Sequence, residues 1–261
     1  MNLDTALQPY KEYLLKIWGE EYLALIEVVE KLTQPWQKTI NNFTKDLEHL
    51  KSAPVCVFFG ERTELDEQYE ASHQTMLRFQ KLGVNARLLF SGGVADREWA
   101  GEKDAQKLKS EFIRRFGGEF EMSLDEQSMN TGMQATLLAD LAKGAGVRTF
   151  VLALPKDHIA RFAAALGEAL KDCGLLDNCK ILPLACGDWE TSTCSGKLTM
   201  AREAFGPAEP MSEKENIIEN ELRQRADQCG KRWFLPMTEK GSERWICGSL
   251  SPVELLNWLD R

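Results

Sequence analysis

Long apolar runs are absent from this chain of 261 residues, which excludes several places where it could act. No segment approaches the roughly 20 consecutive apolar residues that a membrane-spanning helix needs. The first residues, MNLDTALQPYKEYLLKIW, lack the basic start and the continuous apolar core of a secretory signal peptide. We therefore expect a cytoplasmic protein with no membrane partner.

Clustered metal ligands are also missing. The chain has only three histidines, His49, His73 and His158, and its seven cysteines form no C-x-x-C pair. Zinc sites are built from closely spaced Cys and His, and this spacing does not supply them. Cysteines in a cytoplasmic protein are usually reduced. We therefore expect no metal site and no disulfide framework.

Two common nucleotide-binding signatures are absent as well. No G-x-G-x-x-G follows any predicted strand, so the dinucleotide-binding fingerprint is missing. The Gly196–Lys197 pair is followed by Leu198, where a P-loop needs Ser or Thr, and Gly187 lies too far upstream. Any nucleotide-like ligand must be bound by other residues.

The chain also lacks an excess of positive charge. The chain has 40 acidic against 32 basic residues and a formal net charge of −8. Nucleic-acid binders usually carry a basic face, so we expect no nucleic-acid partner. A small anionic ligand stays possible, because helix N-termini bind anions whatever the global charge.

Short apolar runs alternate with helical patterns through the middle of the chain. Continuous runs of this length are typical of strands buried on both faces. The alternation predicts an α/β protein with a doubly wound parallel sheet of about five strands and right-handed crossovers. The predicted strands are Val55–Phe59, Ala86–Phe90, Glu119–Met122, Thr149–Leu154 and Lys180–Ala185.

The two ends of the chain differ from this core. Apolar residues recur at helical spacing before residue 52, and Pro35 fits the first turn of a helix that runs to about Leu50. Beyond Gly206, a Pro-rich linker leads to a charged helix, a two-stranded ribbon and a last helix that Ser251 can cap. The predicted parts are an N-terminal helical segment (1–52), the α/β core (53–206) and a C-terminal helix–ribbon–helix segment (207–261) that packs with the N-terminal helices.

Polar and glycine residues follow the first two predicted strands, at the edge where open parallel sheets bind ligands. Gly60 and Glu61 follow the first strand, and Ser91, Gly92 and Gly93 follow the second. Glycines let a backbone approach a ligand closely, and exposed N–H groups with a serine hydroxyl can form an anion nest. Glu61 suits a ribose hydroxyl or an ammonium group. A structural loop and a solvated acid are the alternatives.

The segment DEQSMNTGMQA, residues 125–135, precedes the helix after the third strand. Ser128 or Asn130 could simply cap that helix. The number of polar groups exceeds what one cap needs, and Asn130 and Gln134 share a helical face if the helix starts early. We expect at least two of these residues to contact a ligand. Glu102 begins the preceding helix, where the helix dipole favours acids regardless of function.

His158 and Arg161 form an H-x-x-R pair at the start of the helix after the fourth strand. This spacing lets both side chains face the strand ends. Arg161 can bind a carboxylate or phosphate through two hydrogen bonds, and His158 can act as an acid or base near neutral pH. A surface ion pair and a helix-start hydrogen bond are the structural alternatives.

In this order the motifs resemble the YdcF-like family, which includes the SanA and ElyC envelope proteins. The likeness covers about residues 55–173. It departs at Asp125, where the family usually has Glu, and at Gln134, where Asn is usual. The family's motif positions fall on Gly60, Ser91, Gly92, Gly93, Glu102 or Asp104, Asp125, Ser128, Asn130, Thr131, Gln134, His158 and Arg161.

The resemblance implies a Rossmann-like core with flanking helices. It also implies S-adenosylmethionine as a ligand, because the soluble YdcF type is associated with binding it, without an established reaction. The SanA and ElyC types carry a membrane anchor that the sequence does not show.

Three functions follow as hypotheses. The first is binding of a nucleotide-like small molecule, S-adenosylmethionine foremost, with possible use as a substrate by a transferase. The second is a hydrolase or transferase that acts on a phosphorylated metabolite, with His158 as general acid/base and Asp125 as its orienting partner. The third is a non-catalytic ligand sensor. Whether the protein is an enzyme, and its oligomeric state, stay open.

Overall fold

Five parallel strands form a single sheet. The computed structural model describes residues 21–60, 66–92, 104–128, 131–156, 158–187 and 249–261. Every residue of the first and fourth strands is buried, as expected of strands that helices cover on both faces. The strands are β1 (Val55–Gly60), β2 (Ala86–Ser91), β3 (Met122–Asp125), β4 (Thr149–Pro155) and β5 (Lys180–Cys186).

Helices connect and flank these strands. None of those in the described ranges combines the length and the apolar character that a membrane crossing requires. The helices are α1 (Tyr22–Leu32), α2 (Trp36–Asn42), α3 (Leu47–Ser52), α4 (Asp66–Leu82), α5 (Asp104–Phe116), α6 (Thr131–Gly144), α7 (Ile159–Asp172) and α8 (Pro252–Leu259), with a short 3-10 turn at Leu176–Asn178.

The strand order is β3-β2-β1-β4-β5, with every neighbouring pair parallel. The chain builds outward from β1 to β3, returns to the centre and builds outward again through β4 and β5. Apolar residues of α4 and α5 pack on one face of the sheet, and those of α6 and α7 pack on the other. This confirms the predicted doubly wound, Rossmann-like α/β fold. The direction of winding reverses between β1 and β4, and open sheets bind ligands beyond such a switch point.

Alternating residues of β1 supply the core on each face. Cys56 and Phe58 belong to the cluster under α6 and α7, whereas Val57 and Phe59 belong to the cluster under α4 and α5. This alternation follows from the two-residue period of a strand. The Phe58 ring stacks on Phe162 of α7 with 4.6 Å between the centroids. Aromatic side chains therefore hold both helical layers to the central strand.

The helices outside the core also lie on both faces. α2 packs on the α4 side, and Pro35 just before it forms an isolated bridge with Ala185 of β5. α1 lies on the other side, in contact with α7 and α8. Ser251 caps α8 as predicted: its hydroxyl accepts the N–H of Glu254 at 3.2 Å, and the Glu254 carboxylate accepts the N–H of Ser251 at 2.8 Å.

Two predicted elements differ from the structure. The third strand is Met122–Asp125 rather than Glu119–Met122, because pairing with β2 runs to the end of that strand and places Asp125 opposite Ser91. The helix predicted from Pro35 to about Leu50 is two helices. They are separated near Phe43, whose ring is buried and stacks on Phe79 at 4.7 Å. The predicted linker, charged helix and ribbon of the C-terminal segment lie outside the described residues.

Candidate functional site

Three of the predicted site residues form one row across the carboxyl ends of the strands. Gly60, the last residue of β1, is the register partner of Ser91 in β2, and Ser91 is the partner of Asp125 in β3. The register of a parallel sheet therefore brings together residues that lie up to 65 positions apart in the chain, from Gly60 to Asp125. The sequence predicted that these motifs lie at one edge of the sheet, and the order of the strands determines which motifs are neighbours.

Asp125 organises the outer end of this row. One carboxylate oxygen accepts a hydrogen bond from the Ser91 hydroxyl at 2.5 Å, and the other accepts the N–H groups of Gln127 and Ser128, each at 3.1 Å. These bonds join the ends of β2 and β3 and shape the turn that follows β3. Among the described residues, no hydrogen bond joins this carboxylate to the His158 ring. Asp125 therefore acts in the structure as a positioning residue.

Gly92 ties the same corner together through its backbone. Its N–H donates to the Asp125 carbonyl, and its own carbonyl accepts the N–H of Ala105 in α5, both at 3.0 Å. A Cβ at this position would lie 2.9 Å from the Asp104 Cβ, so only glycine allows the close approach. The sequence predicted that this N–H faces a bound anion. It instead bonds the last residue of the neighbouring strand β3.

Ser128, Thr131 and Gln134 follow Asp125 and are all buried. Gln134 lies closest to the centre of the sheet: its amide nitrogen is 3.4 Å from the position that a Cβ on Gly60 would occupy. Its side chain is 7% exposed and makes no hydrogen bond with any other residue in the described ranges. A buried amide beside the end of β1 is therefore available to a ligand.

His158 and Arg161 reach the edge from the fourth strand. His158 is the N-cap residue of α7, and its N–H donates to the Pro155 carbonyl at 3.0 Å. Its ring lies 6.1 Å from that of Phe162, which in turn stacks on Phe58. Arg161 follows one turn later and is only 6% exposed. The H-x-x-R pair is therefore buried beside the switch point rather than lying on the surface.

Gln68 belongs to the same edge but was not among the predicted site residues. It lies in the first turn of α4, is fully buried, and donates from its amide nitrogen to the carbonyls of Ala153 in β4 and Gly60 in β1. Its spacing to Ser72 and Thr75 puts three buried polar residues on one face of α4. Polar residues on the face of a helix that should be apolar are the signal that could have identified it.

Burial of polar groups is concentrated at this edge. Eight of the thirteen buried polar or charged residues in the described part of the chain lie there, and they include the two charged ones, Asp125 and Arg161. Buried polar groups are costly unless they are hydrogen-bonded, so such a cluster indicates a site. The eight are Gln68, Ser91, Asp125, Ser128, Thr131, Gln134, His158 and Arg161.

Four predicted site residues, Glu61, Gly93, Glu102 and Asn130, lie outside the described residues. Across the ranges that are described, no group of three or more His, Cys, Asp or Glu side chains is placed to hold a metal ion. No protein-family model, no curated protein and no solved structure matches the chain. The resemblance to the YdcF-like family therefore stays a prediction, and the site must be interpreted from its own geometry.

Proposed function

We propose that the protein binds S-adenosylmethionine, or a closely related nucleoside-containing molecule, beyond the carboxyl ends of β1 and β4. The observation that carries this proposal is the cluster of eight buried polar residues at that edge. Sheets of this type bind ligands outside the carboxyl ends of the strands, at the switch point. The family resemblance, the cytoplasmic location and a transferase reaction stay predictions.

The chemistry of the cluster fits a polar ligand that carries one carboxylate. Amides and hydroxyls predominate, and these donate and accept hydrogen bonds to hydroxyl and amino groups. Arg161 is the one buried cation in the described ranges, and a guanidinium binds a carboxylate through two parallel hydrogen bonds. S-adenosylmethionine has a base, a ribose, an ammonium group, a sulfonium group and a single carboxylate, whereas a nucleoside triphosphate would need more positive charge.

The Gln134 amide lies at the end of β1, where the proposed ligand would bind. On the α6 side of Gly60, a Cβ would lie 2.6 Å from the buried Phe58 ring and 3.4 Å from the Gln134 amide nitrogen, so protein atoms fill that side. We therefore place the ligand beyond the strand end, where the Gln134 amide can exchange hydrogen bonds with a ribose or a base.

Phosphate-ester chemistry with His158 as general acid/base receives less support. That mechanism used Asp125 to orient the imidazole, as the acid of a catalytic triad does. In the structure the Asp125 carboxylate is occupied by Ser91 and by two backbone N–H groups. His158 remains near the proposed ligand and can still exchange a proton with it near neutral pH.

Calorimetric titration with S-adenosylmethionine tests the proposal, preceded by denaturing mass spectrometry of small molecules released from the purified protein. Gln134→Met keeps the volume but removes the amide, and we expect it to weaken binding about tenfold or more. Gln74→Met is the matched control, because Gln74 is exposed on α4 and bonds only Glu70 in the described ranges. It should leave the Kd unchanged.

The same experiment can refute the proposal. Failure of the wild-type protein to bind any adenosyl compound, with a phosphorylated metabolite released instead, would transfer support to phosphate-ester chemistry. Equal effects of Gln134→Met and Gln74→Met would show that the ligand lies elsewhere. Saturable binding without conversion of the ligand, with and without acceptor molecules, would fit the ligand sensor.

A further inference from the structure

The Gln68 side chain bonds both β1 and β4, the two strands between which the winding of the sheet reverses. Its amide nitrogen donates to the Ala153 carbonyl at 2.9 Å and to the Gly60 carbonyl at 3.4 Å. Phe59 and Ala153 form the last pair between β1 and β4, and Gly60 is the next residue of β1. Gln68 is therefore the residue of α4 that lies at the switch point itself.

These two contacts fix the orientation of the amide. Carbonyl oxygens only accept hydrogen bonds, so the nitrogen of Gln68 must face them and its oxygen must face the other way. That oxygen is buried and has no hydrogen-bond partner among the described residues. A buried acceptor without a donor is unfavourable, because it has lost its hydrogen bonds to water. The cost is removed once a bound molecule supplies an N–H or O–H group.

Gln68 has a counterpart on the opposite face of the sheet. Gln134, from α6, places its amide beside the same Gly60. The end of β1 is thus flanked by two buried amides, one from each helical layer. Of these two amides, the one of Gln68 has a fully buried oxygen that no other described residue bonds.

We propose that Gln68 is a specificity-determining residue of the site, and that its side-chain oxygen accepts a hydrogen bond from a hydroxyl or amino group of the ligand. The inference rests on the proposed function and narrows it, because it requires a nucleoside whose ribose hydroxyl or exocyclic amine reaches the end of β1. A site that bonds such a donor rejects analogues that lack it more strongly than an apolar pocket would.

A buried water molecule is the competing occupant. Ser72 lies one turn further along the same face of α4, is fully buried, and has a hydroxyl without a hydrogen-bond partner among the described residues. A water shared by Gln68 and Ser72 would satisfy both groups with no ligand involved. Ser72→Ala therefore separates the two explanations, because it removes one partner of that water and leaves Gln68 in place.

The test compares Gln68→Met and Ser72→Ala with the wild-type protein by calorimetry. The probes are S-adenosylmethionine, adenosine, 2′-deoxyadenosine, 3′-deoxyadenosine and N6,N6-dimethyladenosine, in which each analogue of adenosine lacks one donor group. We expect Gln68→Met to weaken adenosine binding about tenfold or more. One analogue, the one without the donor that Gln68 bonds, should have the same weakened Kd for the wild-type protein that adenosine has for Gln68→Met. Its Kd should be no weaker for Gln68→Met than for the wild-type protein. Ser72→Ala should leave every Kd unchanged.

Three calorimetric results would overturn the inference. A uniform loss for all probes would assign Gln68 a structural role only, and no loss would remove it from the site. Matching losses in Gln68→Met and Ser72→Ala would assign the oxygen to a water. Should Gln68→Met fail to fold, a crystal structure of the wild-type complex with adenosine decides: a ligand donor within about 3.2 Å of the Gln68 oxygen supports the inference, and a larger gap overturns it.

Failure of the proposed function can be told apart from failure of this inference. If the wild-type protein binds none of the adenosyl probes, the proposed function is wrong and the inference is wrong with it. Binding by the wild-type protein together with an unchanged Kd in Gln68→Met overturns the inference alone.

Discussion

The Ser91 hydroxyl donates a hydrogen bond of 2.5 Å to Asp125, its register partner on the neighbouring strand. The bond joins β2 to β3 at the edge where β3 ends, and β3 has only four residues. Because β3 lies at the outside of the sheet and is this short, side-chain bonds at its end matter for its position. Asp125 also accepts two backbone N–H groups from the following turn, so one carboxylate holds two connections.

Removal of this carboxylate should lower stability measurably. Asp125→Ala leaves the Ser91 hydroxyl and two N–H groups without their acceptor, and we expect the free energy of unfolding in urea to fall by about 3 kcal/mol. Ser91→Ala should cost about 1 kcal/mol. In a double-mutant cycle the two effects should be less than additive by about 1 kcal/mol. Strict additivity would mean that the Ser91–Asp125 bond does not contribute in solution.

Gly60 should resist even a single added methyl group. A Cβ there would lie 2.6 Å from the buried Phe58 ring, which cannot move because it stacks on Phe162. We expect Gly60→Ala to destabilise the protein by about 1–3 kcal/mol in thermal or urea unfolding. Gly144→Ala is the control, since that position in α6 has nothing within 4 Å and a helix favours Ala. It should be neutral or stabilising; equal losses at both positions would contradict the packing at Gly60.

The cap of α8 provides a test of the C-terminal helix. Ser251→Ala removes the hydroxyl that accepts the N–H of Glu254, and we expect a loss of about 1 kcal/mol in urea unfolding. Val253→Ala, at an exposed position of the same helix, should change stability by no more than about 0.5 kcal/mol. A loss confined to Val253→Ala would be incompatible with the capping box.

The cysteines should differ in reactivity in the folded protein. Burial raises the pKa of Cys56 to about 12 and raises the pKa of Cys186, so both remain protonated and inaccessible between about pH 6 and pH 9. Cys173 is exposed. With iodoacetamide and peptide mapping, Cys173 should be labelled before Cys56, Cys179 and Cys186, and Cys56 only after unfolding. Labelling of Cys56 at the rate of Cys173 under native conditions would contradict the buried position of β1.

Most of the sheet could be predicted from the sequence because its strands are short apolar runs with clear ends. β1, β2, β4 and β5 begin where predicted, and each extends one residue beyond the predicted end. β3 was misplaced because it has only four residues, MSLD, and their burial does not follow their polarity, since Leu124 is exposed and Asp125 is buried. Its position depends instead on pairing with β2, a contact between distant parts of the chain that local patterns do not show.

The site was predictable in position and less so in detail. Gly60, Ser91 and Asp125 ended at one edge because parallel strands share a carboxyl edge, which is a property of the fold class. Gln68 was missed because it lies within a polar helix and not at the end of a strand. The hydrogen bonds of the Asp125 carboxylate could not be predicted either, because a motif shows residue types and not their hydrogen-bond partners.

The contact between α1 and α8 has a consequence for synthesis of the protein. Leu255 and Trp258 of α8 pack in the same apolar cluster as Leu25 of α1, and the Trp258 indole donates to the Cys179 carbonyl at 2.8 Å. α8 leaves the ribosome long after the five strands. Until then, the apolar surface of α1 and α7 that it covers is open to water and to chaperones. The nascent sheet can therefore form early, but one of its two layers is completed only after translation has passed residue 259.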